Sequence, residues 1–245
     1  MPFARSLKLL ACLTLAAGAA QTAHAIPVTY QFTTGALGSS PFTPQPVFGP
    51  SAGVISSALT GLSVSGSFAY DSETPLTSVT NGPIVFNQSN YENAITSFSG
   101  SVGTLNFTAS TGKMDVANEG YQSNADFLQL VAITDKGISL ANLPLITARL
   151  FWIENASSPF LPAAPDFLTG NDLPASLPTL SGRFALDFLD KDALGNVAIT
   201  TALFDGLTVT AAPAPAPVPE PATLGLLLSC STLLGMVRRQ RRQAT

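Results

Sequence analysis

Residues 26–210 of this 245-residue chain predict an all-β fold, an antiparallel β-sandwich of the jelly-roll type. Three observations carry that expectation. Several runs alternate apolar and polar residues with a period of two. Turn-forming clusters punctuate the runs at short intervals. No segment of the region sustains a 3.6-residue apolar period over three turns, so packed helices are not the organising element.

Taken in order, Ser63 to Tyr70 alternates cleanly, with Val64, Phe68 and Tyr70 on one face and serines on the other. Leu105, Phe107 and Ala109 repeat the pattern. Phe127 to Ile133 and Leu145 to Ile153 are apolar on both parities, as in strands covered on both faces. Phe184, Leu186 and Phe188 begin a final pair, completed by Val197 to Leu203 and Leu207 to Thr210, with Asp190 to Asn196 as the turn between. Asp71-Ser-Glu-Thr-Pro, Thr80-Asn-Gly-Pro and Ser110-Thr-Gly-Lys read as turns, and the proline-rich stretches 42–50 and 157–178 as long loops. Eight or more strands follow, in one domain.

The two ends of the chain are different in kind. Arg5 and Lys8, the apolar stretch 9–20 and Ala23-His24-Ala25 form a secretory signal peptide over 1–25, with signal peptidase cutting before Ile26. At the other end, 211–217 alternates Ala and Pro, the composition of an extended spacer. Val218-Pro219-Glu220-Pro221 follows, then the uncharged run 222–237, then Arg238, Arg239, Arg241 and Arg242. As a helix the run would span roughly 24 Å, and a membrane can accept it by local thinning and by arginines snorkelling to the interface. The basic cluster marks the cytoplasmic side of that single transmembrane helix.

Composition limits the chemistry of what lies between. Residues 26–217 hold fourteen Asp and Glu against Lys113, Lys136, Arg149, Arg183 and Lys191, a net charge of −9. Nucleic acid and anionic lipid are poor partners for such a surface. Both cysteines, Cys12 and Cys230, fall in the terminal apolar segments, and the one histidine, His24, falls in the signal. Triads that need His or Cys, and zinc sites built from them, are therefore excluded from the middle region. Among its lysines Lys113 alone has a serine three residues before it, Ser110, in a stretch read as a turn, and no Ser–Lys pair is assigned. Two carboxylate features remain. Asp190, Asp192 and Asn196 faintly resemble a calcium loop but lack the terminal Glu, so a solvated turn is favoured and no metal or cofactor is assigned. Asp71 with Glu73 would serve as a glycosidase pair only across a cleft of defined width. Trp152 and the phenylalanines fall mostly on apolar parities and read as core.

The tail resembles the PEP-CTERM sorting domain of Gram-negative bacteria, the tag recognised by exosortases, in all three parts over 218–245. That resemblance implies an exported protein that is anchored transiently in the inner membrane, processed by an exosortase, and delivered to the cell surface or extracellular matrix. It also implies a structural or adhesive role linked to biofilm, with exopolysaccharide as a candidate ligand, and a chain that is a substrate rather than an enzyme. The competing expectation is a secreted carbohydrate-binding or carbohydrate-active module that uses the carboxylates of the middle region.

Overall fold

The computed structural model describes residues 28–39, 45–82, 87–121, 125–153, 168–178 and 181–212. They belong to one compact unit, Ala25–Ala212. Twelve strands join in antiparallel pairs: β1 (Val28–Thr33), β2 (Val47–Phe48), β3 (Ser65–Tyr70), β4 (Ser78–Thr80), β5 (Gln88–Val102), β6 (Leu105–Ala109), β7 (Thr111–Tyr121), β8 (Ala125–Ile133), β9 (Ser139–Leu140), β10 (Leu143–Ile153), β11 (Gly182–Lys191) and β12 (Val197–Ala211). Among the described residues one helix, α1 (Ala52–Leu59), is present.

The all-β antiparallel expectation holds, but the two-layer sandwich does not. The pairings run β1-β3-β5-β7-β8-β10-β11-β12, and β12 then pairs with β1. Eight strands in sequence order therefore close into an up-and-down barrel, with β2, β4, β6 and β9 attached to its wall. Alternation looks the same in a sandwich and in a barrel. What separates them is the non-local pairing of Tyr30–Thr33 with Thr208–Ala211, which no local pattern encodes.

The interior is filled with rings. Register places Phe32, Gly66, Gly100 and Phe107 in one row across β1, β3, β5 and β6, so two glycines lie between two phenylalanines. The space left by the missing side chains receives those rings. A Cβ added at Gly100 would lie 2.5 Å from Phe107, and one at Gly66 would lie 2.6 Å from Phe32. Phe184 on β11 meets Phe32, two strands away on β1, at 5.4 Å and Phe107, across the barrel, at 6.2 Å between centroids, so rings from opposite walls touch. Offset and tilted pairs at such spacings are the favourable geometries for aromatic contact. Phe68, Phe98 and Phe204 extend the cluster, and Trp152 is buried beside Gly182. The core reading of Trp152 and the phenylalanines is therefore correct for these residues.

Each end of the barrel is plugged. At one end the 34–37 and 61–64 segments bond to each other, Thr34 N to Val64 O at 3.0 Å and Leu37 N to Leu62 O at 2.8 Å. With them α1 buries Ile55 and Leu59. At the other end the 168–178 segment buries Leu168 and Leu177. It is pinned by Tyr70 Oη donating to Pro174 O at 2.6 Å and Tyr91 Oη donating to Asn171 O at 2.8 Å. Asp126, fully buried, accepts from Leu168 N at 2.7 Å and from Glu119 N at 3.0 Å. The 157–178 stretch was expected to be a loop, and its described part holds neither helix nor strand.

Three local expectations need correction. Ser110-Thr-Gly-Lys is not a turn: Gly112 sits within β7 because a side chain there would strike Val131 O and Ile95. The 42–50 stretch contains β2, whose Val47 pairs with Ala202. The outer faces of β8 and β10 are only partly covered, with Ile133 half exposed.

Candidate functional site

Any enzymatic or metal-binding role of the barrel would depend on its carboxylates. Asp187, outward on β11 between inward Leu186 and Phe188, is clasped by Arg149. Nε reaches Oδ2 at 2.6 Å and Nη2 reaches Oδ1 at 2.8 Å. Thr147 and Thr201, its register neighbours on β10 and β12, donate hydroxyls at 2.6 and 2.7 Å. Arg183 and Asp205, opposite each other on β11 and β12, pair at 2.8 Å. These charge-assisted hydrogen bonds staple the outer wall of the barrel.

The calcium-loop candidates divide their work. Asp190 Oδ2 accepts from Thr200 Oγ1 at 2.5 Å and from Ser51 N at 2.9 Å, tying the β11–β12 hairpin to the segment before α1. The Thr200 hydroxyl, helped by the Lys191 and Ser51 amides, holds the Asp190 carboxyl below its usual range. Asp192 instead closes the hairpin turn. Its Oδ1 accepts from Leu194 N and Asn196 N, each at 2.8 Å, and its Oδ2 accepts from the Asn196 amide at 3.0 Å. The Asn196 donors in turn lower the pKa of Asp192. Among the described residues no group of three His, Cys, Asp or Glu side chains converges.

Asp71 and Glu73 likewise make a turn, Asp71 Oδ1 accepting from Glu73 N at 2.9 Å. Asp115 differs, buried on the outer wall with Lys113 Nζ 3.1 Å from its Oδ1 but no hydrogen bond to that oxygen. Burial pushes its carboxyl up, against the pull of Lys113. Lys113 is thereby accounted for as an ion-pair partner. A shallow pocket of about 220 Å³ lies along the 168–175 segment, lined by Leu168, Gly170, Asp172 and Pro174, with one carboxylate and no aromatic side chain.

Burial and partners thus turn attention to the chain ends. Ala212 N donates to Thr29 O at 2.8 Å, one step past the last register pair of β12 with β1. Val28 and Ala212 therefore leave the barrel at the same end, on neighbouring strands. That adjacency follows from barrel closure and left no local trace in the sequence. The residues expected to carry sorting lie outside the described residues. These are Ala23, Ala25 and Ile26 at the signal-peptidase site, Val218, Pro219, Glu220 and Pro221 in the motif, run 222–237, and Arg238, Arg239, Arg241 and Arg242. Among the described residues no helix is long and apolar enough to cross a membrane.

The described residues thus form a plugged antiparallel barrel whose two chain ends leave at one pole. Further along the chain, residues 217–242 match the PEP-CTERM protein-sorting motif, as the resemblance of the tail implied. The motif points to an exported protein sorted by an exosortase, bound for the cell surface or the extracellular space. No curated protein and no solved structure matches the chain.

Proposed function

We propose that this protein is a structural or adhesive component of the bacterial surface or extracellular matrix, delivered through its PEP-CTERM tail. Signal peptidase releases the chain at Ile26, and run 222–237 holds it transiently in the inner membrane. An exosortase then cuts near Pro219-Glu220-Pro221. The chain is the substrate of that reaction and performs no catalysis of its own. Exopolysaccharide is the ligand class that suits a hydroxyl-rich, acidic outer wall. The observation that carries the reading is the motif match at 217–242, on a chain whose preceding domain is a solid barrel.

The test is Glu220→Ala in cells with an active exosortase. Glu220 is the one charged residue of the Val218-Pro219-Glu220-Pro221 motif. Full-length precursor should accumulate in the inner membrane, because the apolar run still inserts. C-terminal peptide mapping that finds Arg238–Arg242 on mature wild-type surface protein would reduce the chain to an ordinary single-pass membrane protein.

A further inference from the structure

One turn cluster of the sequence, Thr80-Asn81-Gly82-Pro83, plays no part in barrel closure. Its centre, Asn81–Gly82, is the only Asn–Gly pair in the chain. An asparagine amide is open to attack by its own backbone where the next residue's nitrogen can reach Cγ. A side chain on that next residue stands in the way. Glycine has none, and its backbone reaches conformations closed to other residues. An exposed Asn–Gly pair outside a hydrogen-bonded ladder therefore meets the condition for self-modification.

The fold supplies that setting. β4 ends at Thr80, which is in register with Gln88 of β5. Asn81 and Gly82 follow outside any strand, Asn81 exposed and Gly82 half-buried. Among the described residues Gly82 N donates no hydrogen bond, so no ladder holds it away from the side chain. The Asn81 amide is oriented from the other direction, because Asn87 N donates to its Oδ1 at 2.8 Å. That bond draws electron density from Cγ. It also stands where negative charge gathers on the oxygen once Cγ is attacked.

We propose that Asn81 is a site of spontaneous covalent modification, at which the folded protein converts a side-chain amide into a carboxylate. Gly82 N gives its proton to solvent hydroxide and forms a bond to Asn81 Cγ. The Cγ–Nδ2 bond breaks, and Nδ2 takes a proton from water and leaves as ammonia, which regenerates the hydroxide. Water then opens the cyclic imide at either carbonyl. The product is aspartate at position 81 or its isomer, in which the chain runs through Cγ.

The barrel has no stake in the amide. β4 lies off the ring that the β1–β12 seam closes, is attached to β5 through three register pairs, and exposes all of its residues. Neither a new carboxylate nor the longer backbone of the isomer enters the core. The modified form stays folded and accumulates, so the exported protein grows more acidic with age at this position.

The experiment holds the exported protein, recovered from cells, in mildly alkaline and mildly acidic buffer for several days and maps its peptides by mass spectrometry. Asn81 should turn into a mixture of aspartate and its isomer, faster in the alkaline buffer, while Asn87 and Asn90 keep their amides. Gly82→Ala should lose most of the product. The same protein in urea serves as the reference. If Asn81 is modified in urea but intact in the folded protein, the fold protects the site and the proposal is overturned. Aspartate without its isomer would overturn the cyclic route. A Tm that falls as modification proceeds would overturn the claim that the barrel tolerates it.

Discussion

Gly100→Ala tests whether the barrel interior is as full as its rings imply. The added Cβ would stand 2.5 Å from Cε2 and Cζ of Phe107, where carbon atoms prefer ~3.5–4.0 Å. The ring must therefore move by about 1 Å. It has little room, because Phe98 and Phe184 each lie 6.2 Å from it between centroids. Overpacking of this kind costs about 1–3 kcal/mol. Alanine recovers about 0.4–1 kcal/mol by restricting the unfolded chain, so the net loss centres on roughly 1 kcal/mol. For a domain of this size that lowers Tm by about 2–4 °C per kcal/mol. The assay is thermal unfolding of residues 26–212 followed by circular dichroism, as a double-mutant cycle with Phe107→Leu. Without the ring the alanine should cost little, giving a coupling of about 1 kcal/mol. An unchanged or raised Tm for Gly100→Ala, or an additive cycle, would refute the picture of a ring seated over the glycine.

The buried carboxylates should titrate in opposite senses. Asp115 has its folded pKa raised, so the stability it lends is present below its unfolded value near 3.8 and lost as pH rises through the folded one. Asp115→Asn should thus raise Tm at neutral pH, and the gain should fade as the pH drops toward 4; a pH-independent difference would contradict this. Asp190 is lowered, so its contribution is present above the unfolded value and lost as pH falls through the folded one. Asp190→Asn should therefore destabilise at neutral pH and matter less in acid, which the same melts check. Calcium or EDTA should leave Tm unchanged, since Asp190 and Asp192 serve separate hydrogen-bond networks; a drop of several degrees with EDTA would restore the calcium loop.

Much of the wall was legible where apolar residues keep one parity. Phe184, Leu186 and Phe188 on β11, or Val64, Phe68 and Tyr70 leading into β3, announce themselves in that way. Leu105, Phe107 and Ala109 on β6 do so as well, but the long β5 and the passage from β6 into β7 do not. Their inward residues change parity, from Tyr91 and Ile95 to Phe98 and Val102, and from Leu105, Phe107 and Ala109 to Met114 and Val116. Asn93, at φ 61°, lies within the register shift of β5. A window that assumes strict alternation loses the strand there. Helix α1 escaped because eight residues make barely two turns. The sorting motif at 217–242 was readable, since three chemically distinct blocks in fixed order need no tertiary context. The carboxylate clasps were not, because register alone brings Arg149 and Thr201 to Asp187.

Having the first and last strands side by side also decides how the barrel bears load. A pull between Val28 and Ala212 acts at one end of an antiparallel pair, across the strands, and opens the seam bond by bond like a zipper. A pull between Ala212 and the opposite pole runs along the strands, so many perpendicular hydrogen bonds resist it together in shear. A grip at the hairpin around Leu194 instead draws on the opposite end of β12 itself, and that already extended strand carries the tension through its backbone. The same eight-strand ring is thus soft to peeling at the pole where its chain ends meet and stiff to tension drawn through its length.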